Sequence, residues 1–274
     1  MRVIITRPER DAQRWLRSLT QQGVVAVALP LIEIRPVFDA RALRAAWADL
    51  RAYTALMFVS ASAVEHFFAA QPESGLAQQD AGPRMWATGP GTSRALAQLG
   101  VAASRIDAPD ADSGQFDSEA LWQRVGATVH SGQRILIVRG SDHDPTLASR
   151  LNEAPSGNPV DPPGQGRDWL AQRIVQAGAQ VDFVVAYWRA PPVLGATQTE
   201  LATAAAHDGS TWLFTSGEAI GNLLAMLPGC DWSRARALAT HPRIAQAARS
   251  AGFGVVWTSR PALSDVAASI KSGG

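Results

Sequence analysis

The sequence predicts an α/β protein built as two similar doubly wound parallel-sheet lobes joined by a two-strand linker. Three observations predict it. Short, nearly continuous apolar runs alternate with amphipathic helical patterns, as expected where helices cover both faces of parallel strands. The chain repeats itself in the order A, B, A′, B′. Two extended apolar segments that end in proline fit neither repeat, and they are where the chain would cross from one lobe to the other. Bulk chemistry agrees: 274 residues, 46% hydrophobic and 18% charged, suffice to build two cores. A formal net charge of +1 excludes the broad basic footprint of a nucleic-acid binder, so any anion site must be local.

Taken in order, the first strand is expected at Val3–Thr6. A helix follows in which Ala12, Trp15, Leu16 and Leu19 share one face and Gly23 ends the run. The segment ALPLIEIRP (Ala28–Pro36) leaves this unit as an extended strand. Strands are next expected at Ala55–Val59, Arg84–Ala87 and Ile135–Val138. The Pro- and Gly-rich stretch Ala154–Gly166 reads as a mobile surface loop without a role. DFVVAYWRAPP (Asp182–Pro192) is the second crossing, able to pair with the first. Trp212–Phe214 and Val255–Trp257 are further strands, with a helix carrying Ile244, Ala247, Ala248 and Ala251 and stopped by Gly252 between them.

The repeat is carried by particular residues. Phe58, Ser60, Ala63 and Val64 match Phe214, Ser216, Ala219 and Ile220. Thr88, Pro90 and Gly100 match Thr240, Pro242 and Gly252 at one constant offset. RVIITRP resembles RILIVRG, and Gly23 then matches Gly178 after the insertion. The period is too long for a solenoid.

Candidate chemistry lies where strands meet helices. Thr6-Arg7, Ser60-Ala61-Ser62, Thr88-Gly89, Arg139-Gly140, Thr215-Ser216 and Thr240-His241 all stand at strand ends. Open α/β sheets bind ligands beyond the carboxyl ends of their strands, and helix amino ends there offer unpaired amides and partial positive charge. The competing role at each position is plain helix capping, which favours the same residue types. Together these ends suit an anionic small molecule with several carboxylates. Other chemistries lack their signatures. GPGTSRALAQLG misses the third glycine of a dinucleotide fingerprint, and there is no phosphate-binding P-loop, no GxSxG elbow and no HExxH. His66, His130, His143 and His207 are scattered and read as surface or boundary residues; His241 differs in following Thr240. The single cysteine, Cys230, cannot form an internal disulfide. No signal peptide or membrane span is expected, and a reducing cytoplasm is the expected setting. Tyr187, one of two tyrosines, is either a proton donor facing the cleft or an aromatic packed against the other crossing strand.

Over nearly its full length the chain resembles the uroporphyrinogen-III synthase family. The resemblance rests on ITRP, LPLIEIRP, FVSASAV, ATGPGTSRALAQLG, ILIVRG, VAYWRAPP, FTSGEAIGNLL and ATHPRIAQAARSAG, in the family's order. It implies a first lobe of residues 1–34 plus 191–274, a second of 39–184, and linker strands at 28–37 and 182–192. It implies cyclisation of hydroxymethylbilane with inversion of ring D and loss of water, a lyase reaction of heme biosynthesis that needs neither metal nor organic cofactor. Tyr187 would help the ring A hydroxyl leave. Thr6, Arg7, Ser60, Ala61, Ser62, Thr88, Gly89, Arg139, Gly140, Thr215, Ser216 and Thr240 would hold substrate, largely through backbone amides. The partners implied are the substrate and, transiently, the preceding enzyme of the pathway, with neither nucleic acid nor membrane, and the chain is expected to be a monomer. Val59 and Ser62 stand where the family often has Thr and Asn, which separates the chain from the family at those side chains. The family's Gly-Arg helix start is sought at Gly166-Arg167. The alternative reading is a non-catalytic two-lobed binding protein for an anionic metabolite.

Overall fold

The computed structural model describes residues 2–72, 82–109, 118–142 and 167–273. The expected Ala154–Gly166 loop and His143 lie outside them. The chain forms two compact units, Met1–Ile34 with Ala190–Gly274, and Arg35–Arg189.

The discontinuous unit contains β1 (Val3–Ile5), α1 (Glu9–Gln21) and β2 (Ala26–Ala28). It resumes with α7 (Ala196–Ala205), β9 (Thr211–Phe214), α8 (Gly217–Met226), β10 (Arg236–Ala239), α9 (Pro242–Ser250), β11 (Val255–Thr258) and α10 (Leu263–Ser272). The sheet order is β11-β10-β9-β1-β2, and every pair is parallel. Both faces are buried, so successive strand residues serve different cores. Ile4, Trp212, Phe214 and Ala237 join Trp232, Phe253 and residues of α7, α8 and α9. Val3, Ile5, Leu213 and Leu238 join Trp15 and Leu19 of α1 and Val266 and Ile270 of α10. This is why the strands read as unbroken apolar runs.

The continuous unit contains β3 (Glu33–Pro36, which straddles the unit boundary), α2 (Arg41–Ala48), β4 (Ala55–Phe58), α3 (Ala61–Ala69), β5 (Arg84–Ala87) and α4 (Pro90–Gln98). It continues with β6 (Ile106–Asp107), α5 (Ser118–Val125), β7 (Arg134–Ser141), α6 (Arg167–Gln176) and β8 (Gln180–Ala190). The sheet order is β3-β8-β7-β4-β5-β6. Met57, Ile135 and Ile137 pack with Leu121, Val125, Leu170 and Ile174 of α5 and α6. On the opposite face Phe58 meets Phe67 and Phe68 of α3, and Trp47 of α2 stacks on Phe67 with centroids 4.7 Å apart.

Set side by side, the two sheets share one spatial order. β2-β1-β9-β10-β11 corresponds to β8-β7-β4-β5-β6. In one unit the β1–β2 half comes first in the chain; in the other the β7–β8 half comes last. The A, B, A′, B′ repeat therefore builds units A with B′ and A′ with B. The helix ends confirm the residue matches. Gly23, Gly100, Gly178 and Gly252 all have φ between 78° and 92°. After each one the next amide bonds back to the last helical turn: Val24 to Leu19, Val101 to Leu96, Ala179 to Ile174 and Phe253 to Ala248. Glycine tolerates this left-handed cap without steric cost.

The structure departs from the sequence reading at three places. Ala28–Pro36 is not one strand: β2 ends at Ala28 and β3 starts at Glu33. Pro30 lacks an amide, but β2 is the edge of its sheet, where a missing donor on the outer side is tolerated. Leu29 and Leu31 still donate to Ile5 and Thr6 carbonyls, and Asn222 donates its side-chain amide to the Leu31 carbonyl at 2.8 Å. The two-residue β6 has no sequence expectation to match it. Last, β7 extends to Ser141, past the expected Ile135–Val138, and β8 runs from Gln180 to Ala190, two residues earlier than the expected Asp182–Pro192.

Candidate functional site

A doubly wound sheet opens a crevice at the carboxyl ends of its strands, where the strand order reverses direction. In the discontinuous unit that point is β1 beside β9, and in the continuous unit β7 beside β4. The expected site residues sort themselves accordingly. Thr6, Arg7, Thr215, Ser216 and Thr240 follow β1, β9 and β10. Ser60, Ala61, Ser62, Thr88, Gly89, Arg139 and Gly140 follow or end β4, β5 and β7.

In the discontinuous unit several of these side chains are already engaged. Thr6 is 1% exposed, and its hydroxyl donates to the Leu213 carbonyl at 2.7 Å, tying β1 to β9. Arg7 bonds Asp11 at 2.9 Å and lies over Trp15. Ser216 caps α8 by accepting from the Glu218 amide at 3.1 Å. His241 caps α9 by accepting from the Arg243 amide through Nδ1, which requires that nitrogen to be unprotonated. What these ends have left to offer a ligand is chiefly backbone.

In the continuous unit the strand ends bring a phenol and a hydroxyl together. Tyr187 of β8 is 3% exposed, and its hydroxyl lies 3.0 Å from Ser60 Oγ. Ser60 also caps α3, accepting from the Ala63 amide at 3.1 Å. Thr88 donates to the Val59 carbonyl at 3.2 Å, bracing the β4 end from β5. Tyr187 reaches this face through a bulge. Arg139 pairs with Val185 but Gly140 pairs with Tyr187, so Ala186 is the extra residue. Side chains alternate along a regular strand, so a run through Ala186 without the bulge would put Tyr187 on the face of Val185. Gly140 then makes room for the ring: a Cβ on it would fall 2.4 Å from Tyr187 Cζ.

The imidazole of His66, two turns along α3, stacks on the phenol with centroids 5.8 Å apart. Burial lowers the His66 pKa below the ordinary 6.5, opposed only by the nearby Glu65 charge, so the ring is neutral at physiological pH. It also lines a cavity of about 570 Å³ with Leu43, Arg44 and Ala186, which keeps one side of it within reach of solvent. The sequence reading missed His66 as a neighbour of Tyr187. Its one signal was its place on the helix that Ser60 opens. The aromatic that sits against the first crossing strand is Trp188, under Arg35, rather than Tyr187. Arg139 lies over Phe183, and Arg189 pairs with Asp142.

Among the described residues no helix is long and apolar enough to cross a membrane, and no cluster of three or more His, Cys, Asp or Glu could hold a metal ion.

A family model described as uroporphyrinogen-III synthase HemD matches residues 13–267. A curated relative, the uroporphyrinogen-III synthase of Chlorobaculum parvum, is 32% identical over 146 residues, covering 51% of this chain and 53% of that protein. The chain thus spans about half the length of the curated relative it matches. Two solved structures share the fold. A mutant uroporphyrinogen III synthase from Thermus thermophilus has a TM-score of 0.53 at 14% identity, over 99% of this chain and 98% of that one. The uroporphyrinogen-III synthetase of Helicobacter pylori has a TM-score of 0.55 at 12% identity, over the full length of both chains.

Proposed function

The chain belongs to the uroporphyrinogen-III synthase family, and from that premise we propose that it cyclises hydroxymethylbilane to uroporphyrinogen III, a hydro-lyase step of heme biosynthesis. The observation that carries the reading is the contact of the buried Tyr187 phenol with the half-buried Ser60 hydroxyl at the strand-order reversal of the continuous unit.

In this reading Tyr187 is the general acid. Its proton passes to the ring A hydroxyl, the carbon–oxygen bond breaks, and water leaves. The pyrrole nitrogen supplies the electron pair that makes the azafulvene cation. Ring D attacks that cation through its substituted carbon, giving a spiro intermediate that rearranges with ring D inverted. The proton lost on rearomatisation restores the phenol. Carboxylates of the bilane rest on amides at the strand ends of the continuous unit, those of Ala61, Ser62 and Gly89; the amides following Thr6, Thr215, Ser216 and Thr240 are of the same kind in the other unit, whereas Pro8 leaves none after Arg7. The amides of Ala61 and Ser62 lie in the first turn of α3 and that of Gly217 in the first turn of α8, where no intrahelical acceptor reaches them, which is why they suit anions. Much of the rate then comes from holding the chain in its reactive conformation, and burial of the phenol keeps bulk water from the cation. The proposal places the protein in the cytoplasm as a monomer, meeting the preceding pathway enzyme only in passing.

The test is incubation with freshly made hydroxymethylbilane, oxidation, and separation of the porphyrin isomers. Type III in excess of the spontaneous type I is the expected result, with turnover reduced several-fold in Tyr187→Phe while its circular dichroism is unchanged. An isomer ratio and a rate equal to the protein-free control would reduce the chain to a metabolite-binding protein.

A further inference from the structure

We infer that Ser60 is a positioning residue for this reaction, whose hydroxyl donates to the Tyr187 phenol oxygen and so reserves the phenol's own proton for the ligand. The inference rests on the reading of Tyr187 as the proton donor.

A hydroxyl has one proton to give and two lone pairs to offer. The Ala63 amide already takes one lone pair of Ser60 Oγ. The contact to Tyr187 can then run in either sense. If the phenol donates to serine, its proton is spent and it has nothing to give. If serine donates to the phenol, a single directed chain forms: Ala63 amide to Ser60, Ser60 to Tyr187, Tyr187 to ligand. Each link in such a chain polarises the next. After the phenol proton has moved to the leaving oxygen, the serine proton remains as a donor to the phenolate, and the amide behind it lies at the positive end of α3.

The rest of the surroundings fix the ring so that this contact persists. Gly140 admits it on one side, and the neutral His66 ring stacks against it. The internal repeat shows that the capping role alone does not require the phenol. The matching Ser216 caps its own helix in the same way, and the chain's two tyrosines both lie in the continuous unit.

Substitution separates capping from proton direction. Glycine is nearly as good a cap as serine, and aspartate is at least as good. Ser60→Gly therefore keeps the helix start and lowers kcat by about tenfold, the loss of one hydrogen bond to a group that becomes charged, with KM unchanged. Ser60→Thr keeps most of the turnover. Ser60→Asp caps the helix but only accepts, so it captures the phenol proton, and kcat falls at least as far. In a Tyr187→Phe background Ser60→Gly changes nothing further. Wild-type kcat in Ser60→Gly, or losses that multiply in the double variant, would overturn the role of Ser60 while leaving Tyr187 in place. Wild-type turnover in Tyr187→Phe would instead remove the phenol, and this inference with it.

Discussion

Position 140 excludes a side chain for a reason that distance makes plain: any Cβ there would overlap the Tyr187 ring. Gly140→Ala should cost about 1–3 kcal/mol, as overpacking does in a dense interior, and should depress turnover together with the melting temperature. An alanine variant that melts like the wild type would show that the ring is not seated on the glycine. His66 gives a second prediction. Its folded pKa lies below the ordinary 6.5, so between the two values the unfolded chain binds more protons than the native one. The associated stability is complete above about pH 6.5 and is lost as the pH falls toward the folded value. Denaturant titrations near neutrality and in mild acid should show wild type losing more stability than His66→Gln; equal losses would mean that the imidazole is not buried as described. At this scale the sequence was partly legible. Strand-end residues stood out because small polar types at strand–helix junctions either cap the helix or meet a ligand, and Ser60, Ser216 and His241 cap. The neighbours of Tyr187 did not stand out. An inserted residue at Ala186 turns the phenol to the face of α3, and no local pattern marks a bulge within an apolar strand.

Elements were legible wherever local chemistry decided them. The four glycine-capped helix ends have their signal in one residue each, and helix faces such as that of Ala12, Trp15 and Leu19 have theirs in spacing. The apolar run around Pro30 hid the change from β2 to β3 between Ala28 and Glu33. β6 spans two residues and holds its place through pairing with β5, which no window of sequence can register. The caps differ in a testable way. Nothing lies within 4 Å of a Cβ built on Gly252, whereas one on Gly178 would meet Ser131 at 3.2 Å. Gly252→Ala should cost about 1–2 kcal/mol, the price of a left-handed alanine, and Gly178→Ala should cost more. Chemical denaturation ranks them, and an inverted ranking would contradict the packing at Ser131.

For the molecule as a whole, one sheet order is built twice from halves that arrive in opposite sequence. The repeat made this legible, since matched residues such as Phe58 and Phe214 or Gly100 and Gly252 occupy matched places in the two sheets. The cost of the arrangement falls on the discontinuous unit. Val3 pairs with Thr211 and Ile5 with Leu213, so the first strand meets its central partner only after some two hundred intervening residues have been made. At a ribosomal pace of about 5–20 residues per second, nascent β1 spends roughly ten to forty seconds with that edge unsatisfied. The continuous unit can complete its sheet within the same interval. Val3, Ile4 and Ile5 are therefore an apolar segment whose inner edge stays open until β9 emerges.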